Sequence, residues 1–201
     1  RLYVRRILDS SNDLRQDRYL SKNNNNILRL PSIQKAFPAA LIIVPFRDPV
    51  QQASSLMEQH LRFSNRHRVD KFSCDYMQWL GHHEFGLIHK PFCFSHHEGE
   101  FPNNYGTDNI NYWLSIWIAT YQYLLDSAPK GSVFISYEDL CHPSGDTLKY
   151  LYELAGISYE INRLNPSLTL PPSRRIDGID QQIGDNGQAT YNNLLLKRQQ
   201  E

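Results

Sequence analysis

The stretch that most constrains the fold is Ala40-Leu41-Ile42-Ile43-Val44-Pro45-Phe46-Arg47-Asp48-Pro49. Its first seven residues are apolar and rich in β-branched side chains, a pattern typical of a strand that is buried on both faces. Proline is well tolerated in the first turn of a helix, and the apolar positions after Pro49 recur with a helical period. The stretch therefore predicts a strand, a short turn and a long helix.

A second unit of the same kind lies further along the chain. Ser132-Val133-Phe134-Ile135-Ser136-Tyr137 is another apolar, β-branched run. A helix is predicted after it, from Pro143 to Ala155, with Gly156 as the residue that stops it. Strands that alternate with helices favour an α/β fold with a parallel sheet, in a single domain that spans residues 1–201.

Helices are also predicted from about Ile27 or Pro31 to Phe37, at 70–80 and at 189–197, and a strong one is predicted from Asp108 to Ala128. In this last helix Trp113, Trp117 and Tyr121 repeat every four residues. That spacing favours packing in the core over a platform for stacking sugars. The segment 158–187 is predicted to be a loop, and 18–22 a short strand.

Composition excludes several classes of function. The 201 residues include 21 basic and 21 acidic side chains, so the formal net charge is zero and binding of nucleic acid by bulk charge is not expected. The longest apolar run is too short to cross a bilayer. Three cysteines without a Cys-x-x-Cys spacing predict neither a disulfide scaffold nor a thiolate zinc site, which favours a reducing, cytoplasmic setting.

An anion site is predicted where the first strand meets its helix. Arg47 follows the strand, and the carboxyl ends of parallel strands are where α/β sheets bind ligands. The helix that begins at Pro49 offers free backbone N–H groups and the positive end of its dipole. Ser55 lies eight residues after Arg47, so its hydroxyl and the guanidinium can surround one phosphate. The alternative is a surface arginine with serines at polar helix positions.

Two segments resemble sulfotransferases that use 3′-phosphoadenylyl sulfate. The first combines Phe37-Pro38-Ala39-Ala40, Arg47-Asp48-Pro49 and Ser55, and is similar to the 3′-phosphate-binding segment of that family. The second, Tyr137-Glu138-Asp139-Leu140 followed by Pro143, is similar to the family's Tyr-Glu-Asp-Leu segment. The resemblance covers roughly residues 18–60 and 108–156. It implies a three-layer α/β sandwich around a central parallel sheet, related to the P-loop NTPase fold.

The resemblance also implies roles for individual residues. Arg47 and Ser55 would hold the 3′-phosphate of the nucleotide, and Tyr137 would lie near the adenine. Lys22 is similar to a lysine that stabilises the transferring sulfuryl group, where its charge would neutralise the bridging oxygen of the leaving group. Arg174 and Arg175 would close over the phosphates, although an exposed, solvated loop is an equal alternative. The family needs no metal.

The chain departs from the family pattern at its beginning. Sulfotransferases carry a loop whose backbone amides hold the 5′-phosphate and the sulfuryl group, and this sequence contains no such loop. Since that loop precedes the matching segments, we expect the domain to be incomplete at its N-terminus. The catalytic base is then expected to lie outside these residues as well, unless a histidine supplies it.

Seven of the eight histidines fall between His60 and His97. The pairs His82-His83 and His96-His97 lack the four-residue spacing of a helical zinc motif, so an acceptor-facing insertion at about 60–107 is favoured over a metal site. One of these histidines could act as a general base. The cations Arg62, Arg66 and Arg68 form either a steering patch or a solvated helix face.

Three functions are consistent with these features. The first is a sulfotransferase that moves a sulfuryl group from 3′-phosphoadenylyl sulfate to a hydroxyl or amine of a small-molecule or carbohydrate acceptor. The second is a P-loop kinase relative, which would need a Walker loop and a Mg²⁺-binding acid that are not visible. The third is a nucleotide-binding module without transfer activity.

Overall fold

The computed structural model describes residues 4, 6, 19–94, 105–157 and 169–198. In chain order its main elements are α1 (Leu30–Ala36), β1 (Ile43–Phe46), α2 (Pro49–Val69), α3 (Lys71–Trp79), α4 (Ile110–Ser127), β2 (Val133–Ser136), α5 (Tyr137–Leu140), α6 (Asp146–Leu154) and α7 (Gln181–Arg198). Two 3₁₀ helices lie at Asn24–Arg29 and Gly86–Ile88.

The expected three-layer α/β sandwich with a central parallel sheet is wrong. Within the described residues, 60% are helical, and the sheet consists of β1 and β2 alone. The two strands are parallel, in a register that runs from Ile43 opposite Val133 to Phe46 opposite Ser136. The expectation assumed that both strands are buried on both faces. This holds for β2, but in β1 Val44 and Phe46 are buried while Ile43 and Pro45 are exposed.

Helices supply most of the core. Trp113 and Trp117 of α4 are each 1% exposed and Tyr121 is also buried, which confirms their predicted role in core packing. One cluster joins the sheet to α4 and α7, and its buried members are Leu30, Val44, Phe46, Trp117, Tyr121, Leu124, Phe134 and Leu194. A second cluster joins α2 to α4 through Ala53, Ile110, Trp113 and Leu114. The apolar surface of the strands is therefore covered mainly by helices.

The predicted strand–turn–helix unit at 40–69 is confirmed. Asp48 is the N-cap of α2, since its carboxylate accepts a hydrogen bond of 2.8 Å from the Gln51 backbone N–H, and Pro49 follows in the first turn. Tyr121 fixes the strand to α4, because its hydroxyl donates a hydrogen bond of 2.8 Å to the Pro45 carbonyl. Burial raises the pKa of Tyr121 to about 12.

Other boundaries differ from the predictions. The N-cap of α4 is Asn109 rather than Asp108. Residues 19–22 contain no strand, and Arg18 lies outside the described residues. Helix α7 begins at Gln181, inside the predicted loop. Gly187 lets this helix approach α4 closely, since a Cβ there would lie 3.3 Å from Cδ1 of Leu114. Two glycines in this helix concealed it in the sequence.

Candidate functional site

The turn between β1 and α2 is held from two sides. The Asp48 backbone N–H donates a hydrogen bond of 3.0 Å to one carboxylate oxygen of Glu138, and the Tyr191 hydroxyl donates one of 3.4 Å to the other. Burial and the neighbouring carboxylates raise the pKa of Tyr191 to about 12, so the phenol keeps its proton. Glu138 therefore joins the turn to α7 and fixes the direction in which α2 begins.

Three of the residues expected to bind nucleotide lie together at this turn. A guanidinium nitrogen of Arg47 lies 3.5 Å from the Ser55 hydroxyl oxygen, the outer limit of a hydrogen bond. The same guanidinium lies 5.3 Å from the centre of the Tyr137 ring, a cation–π distance. A hydrogen bond with Cys141, together with burial, raises the pKa of Tyr137. The neutral phenol and the cation thus share one edge of the site.

Arg174 belongs to the same site through its backbone. The Gln51 side-chain amide donates a hydrogen bond of 2.9 Å to the Arg174 carbonyl and accepts one of 3.1 Å from the Arg174 N–H. Both hydrogen-bonding groups of one amide are used, so the segment is held in a fixed register on α2 although 123 residues separate the two positions in the chain.

These contacts form a small open cleft. Most of its lining comes from the first two turns of α2 and from the segment around Arg174: Arg47, Gln51, Ser54, Ser55, Pro171, Pro172 and Arg174. The cleft thus presents two arginines and two serines close to the N-terminus of a 21-residue helix. Such a combination suits an anion with several oxygens, because guanidinium, hydroxyl and helix dipole all favour negative charge.

The positive charge of the Arg174 guanidinium is partly neutralised by an acidic side chain. Its guanidinium forms an ion pair with Glu58, which also lies 3.9 Å from a guanidinium nitrogen of Arg62. Arg175 is fully on the surface, with 93% of its side chain exposed, and its Nε lies 3.4 Å from an Asp177 carboxylate oxygen. Arg175 is not among the residues that line the cleft, so the predicted pair of arginines is divided between the cleft and the solvent.

Lys22 is not among the residues that line the cleft. It is exposed, and its ammonium group donates a hydrogen bond of 2.9 Å to the Asn24 side chain. The Asn24 amide in turn donates one of 3.3 Å to Glu84. Among the described residues, Lys22 has no contact with the lining of the cleft.

Sequence reasoning missed two residues of the site, Gln51 and Glu58. Both lie on the same face of α2 as Ser55, at intervals of four and three residues, so helical periodicity could have identified them. Pro171 and Pro172 also line the cleft. No pattern in the sequence connects these prolines with α2, because the connection is made through backbone atoms.

Two of the histidines in the predicted acceptor-facing insertion are packing residues. His60 and His67 of α2 are buried, and their Nδ1 atoms accept hydrogen bonds of 3.3 Å from Gly86 N–H and 3.2 Å from Leu87 N–H. A ring nitrogen that accepts a hydrogen bond carries no proton, so in each ring the N–H group is at Nε2. His60 Nε2 then donates to the Ser64 hydroxyl at 3.3 Å.

His89 completes this histidine network. Its Nδ1 lies 3.2 Å from the His83 carbonyl and its Nε2 lies 2.9 Å from the Tyr112 hydroxyl, so Nδ1 donates and Nε2 accepts. Burial lowers the pKa of His89, and burial together with His89 and Arg68 lowers that of His60. Within the described ranges no group of three potential metal ligands occurs, and His96 and His97 lie outside them.

Comparison with known proteins identifies no relative: no family model, no curated protein and no solved structure matches this chain. None of the helices in the described segments is both long and apolar enough to cross a membrane.

Proposed function

We propose that the chain is a sulfotransferase that binds 3′-phosphoadenylyl sulfate through the cleft at the start of α2 and passes its sulfuryl group to a hydroxyl or amine acceptor. The observation that carries the proposal is that Arg47 and Ser55 lie together in the lining of one open cleft, with the centre of the Tyr137 ring 5.3 Å from the Arg47 guanidinium. The acceptor is a small molecule or a carbohydrate. The proposal rests on this local strand–turn–helix geometry and does not need a three-layer sandwich.

The cleft supplies the groups that a terminal phosphate requires. The two-pronged guanidinium of Arg47 donates two hydrogen bonds to phosphate oxygens, and the Ser55 hydroxyl donates a third. Ser55 currently donates to the Gln51 carbonyl at 2.9 Å, so a rotation about one side-chain bond redirects it to a ligand. The N-terminus of α2 adds the positive end of its dipole.

Arg174 is the second cation of the proposed site, and Glu58 competes with the nucleotide for it. The ion pair between Arg174 and Glu58 is exposed, so solvent screens it and its contribution to stability is small. A phosphate at the cleft therefore displaces Glu58 from Arg174 at little cost. In this proposal Arg175 acts from the rim of the site.

The transfer step places the greatest demand on Lys22. In-line transfer forms a bond between sulfur and the acceptor oxygen or nitrogen, whose proton passes to a base or to solvent, and breaks the bond between sulfur and the bridging oxygen. The negative charge that develops on this bridging oxygen needs a nearby cation. Lys22 is assigned this role, with adenosine 3′,5′-bisphosphate as the product that leaves. No metal takes part in the proposed step.

A nucleotide-binding module without transfer activity is the second candidate. The observation that favours it is the position of Lys22, whose ammonium group bonds to Asn24 rather than to a residue of the cleft. In this case Arg47, Ser55 and Tyr137 hold the nucleotide while the sulfuryl group stays on it.

Binding is tested by isothermal titration calorimetry with adenosine 3′,5′-bisphosphate and, separately, with ATP. We expect the bisphosphate to bind more tightly than ATP, and Arg47→Ala to weaken it by about tenfold to a hundredfold, the usual value of a charge-assisted hydrogen-bond pair. Arg29→Ala is the matched control, since Arg29 is exposed and does not line the cleft. Equal binding by the Arg47→Ala variant would place the phosphate elsewhere.

Transfer is tested separately, with 3′-phosphoadenylyl sulfate labelled on sulfur and a panel of hydroxyl and amine acceptors. Turnover that disappears in Lys22→Ala while bisphosphate affinity is retained supports the sulfotransferase. Bisphosphate binding without turnover of any acceptor supports the binding module. Tight binding of ATP with none of the bisphosphate contradicts both.

A further inference from the structure

Helix α3 carries an apolar face that no described residue covers. The helix has no buried residue, and it packs by one side on α2 and the 3₁₀ helix Gly86–Ile88. On that side Met77 approaches the imidazole of His67, with 3.2 Å between its sulfur and Nε2. On the opposite side Phe72 is 66% exposed and Trp79 is 72% exposed. These two side chains lie seven residues apart, so they project from the same face.

The exposed side chains form an ordered aromatic cluster. Phe72 stacks on Tyr76 with 5.7 Å between ring centres, and it meets Trp79 edge-on at 6.5 Å. Val69, just before α3, and Leu80, just after it, are also exposed. Contiguous apolar surface of this kind is uncommon on a protein that has no partner for it.

Cations lie on both sides of the aromatic face. Lys71 flanks it on one side, where it pairs with Asp75 at 2.6 Å. On the other side the Arg66 guanidinium reaches Ser73 at 3.4 Å and Asp70 at 2.9 Å. The segment 61–80 contains four arginines and lysines (positions 62, 66, 68 and 71) and two aspartates (70 and 75), so its net charge is +4 − 2 = +2 with neutral histidines. The chain as a whole is neutral.

We propose that the aromatic face of α3 is a docking surface for a bilayer that contains anionic lipids. Phenylalanine and leucine insert among the upper acyl chains, tyrosine and tryptophan lie at headgroup level, and the flanking cations pair with lipid phosphates and carboxylates. The nine residues of α3 are far too few to cross a membrane, so the helix lies in the plane of the surface.

The local charge decides between a bilayer and a second copy of this chain. Two copies that met face to face would bring equal positive segments together, and this repulsion opposes a symmetric contact. An anionic surface is instead complementary to the cations and to the aromatic side chains at once. The positive segment on a neutral chain also orients α3 toward such a surface.

Trp79 allows the docking to be observed directly. Of the three tryptophans, Trp113 and Trp117 are 1% exposed, so fluorescence changes that depend on access to solvent come from Trp79. The chain is mixed with vesicles of phosphatidylcholine containing about 30% phosphatidylserine, and in parallel with pure phosphatidylcholine vesicles. We expect a blue shift and protection from iodide quenching with the anionic vesicles, and weaker effects with the neutral ones. Added salt should reduce the binding, because it screens the cations.

Cosedimentation with the same vesicles measures the affinity. The double variant Phe72→Ala/Trp79→Ala should lower the partition coefficient by about tenfold or more, given the apolar area that it removes. Leu196→Ala on α7 is the control, since Leu196 is an exposed apolar residue outside the cluster and its loss should change binding by less than about twofold. Both variants alter exposed side chains, so circular dichroism should match that of the unaltered chain.

Three results would overturn the proposal. The first is an absence of sedimentation with anionic vesicles, and the second is equal binding by the double variant and the unaltered chain. The third is a dimer in sedimentation equilibrium that the double variant abolishes, because a second copy would then occupy the face. All these measurements are independent of nucleotide binding and transfer.

Discussion

The N-terminal and C-terminal halves of α2 differ in what their polar side chains do. In the N-terminal half, Ser55 is exposed and its hydroxyl can turn toward a ligand, beside an Arg47 whose contact with it is long. In the C-terminal half, His60 and His67 are buried and each ring has defined partners on the 3₁₀ helix Gly86–Ile88. The first half presents an accessible hydroxyl beside the Arg47 guanidinium, and the second half uses its two buried imidazoles to hold a loop.

The difference shows that the type of a residue does not by itself determine its chemical role. Histidine suggests acid–base chemistry, but these imidazoles use their nitrogens to satisfy backbone N–H groups that would otherwise be buried without partners. Arginine and serine are ordinary surface residues, yet in the cleft they retain unused capacity to donate hydrogen bonds. Changes in the histidine network should therefore alter stability, whereas changes in the cleft should alter binding.

The largest effect is expected from Gly86→Ala. Gly86 has a φ of +81°, and an added Cβ would lie 2.4 Å from the His67 ring. The left-handed backbone and the steric clash together should lower the free energy of unfolding by about 3 kcal/mol, measured by urea denaturation. Gly81→Ala is the control: its φ is +71° but nothing lies within 4 Å of the new Cβ, so only about 1 kcal/mol is expected. Equal losses in the two variants would mean that the His67 contact is unimportant.

His60→Leu should have the next largest effect. It leaves the Gly86 N–H buried without an acceptor, which costs about 2 kcal/mol of the free energy of unfolding. His60→Asn should recover part of this loss, because its side-chain oxygen can replace Nδ1. His82→Leu serves as the control at an exposed histidine, where we expect a change within about 0.5 kcal/mol. If leucine and asparagine at position 60 cost the same, the hydrogen bond contributes nothing.

Acidification should lower the stability of the folded chain through the histidines of this network. The pKa values of His60 and His89 are lowered in the folded chain from the usual 6.5, so below pH 6.5 the unfolded chain binds more protons than the folded one. Stability is thus greatest above pH 6.5 and falls as the pH drops from there toward the lowered values. Denaturation midpoints at a series of pH values should show this decline, and it should be smaller in His60→Asn. An identical decline in that variant would assign the effect to other groups.

The smallest effect on stability is expected in the cleft, from Ser55→Ala. The Ser55 hydroxyl donates to a carbonyl of its own helix, and alanine is the better helix former, so stability should rise by about 0.3 kcal/mol. Affinity for adenosine 3′,5′-bisphosphate should nevertheless fall, by about threefold to tenfold for one lost hydrogen bond. Calorimetry and urea denaturation on one sample measure both. A loss of stability of 1 kcal/mol or more would make Ser55 a structural residue like His60.

Local sequence patterns predicted the elements of this protein better than their assembly. The run that ends at Phe46, the turn through Asp48 and the start of α2 at Pro49 follow from apolar content, capping and the preference of proline for a first helical turn. The number of layers in the fold did not follow from these local patterns. A continuous apolar run is compatible with burial on one or two faces, and Ile43 and Pro45 are exposed where two-sided burial was assumed.

The candidate site was predictable to the extent that it depends on helical spacing. Arg47 and Ser55 are close because one residue precedes α2 and the other lies on its second turn. The resemblance placed Arg174 near the nucleotide, but the contact that holds it could not be predicted, since it depends on backbone atoms that bond to Gln51 across 123 positions. The burial of His60 depends in the same way on Gly86, whose role becomes visible only with its φ of +81°.

Pro45 has a consequence for the behaviour of the chain at high concentration. The Ile42 carbonyl bonds to Val133, so alternate residues of β1 face β2 and Pro45 faces the outer edge of the strand. At that edge proline offers no N–H, and its carbonyl already accepts the Tyr121 hydroxyl. A strand from another molecule that approached here would find neither a donor nor a free acceptor at this position. Pro45 therefore removes one position at which a strand from another molecule could pair with the edge of this sheet.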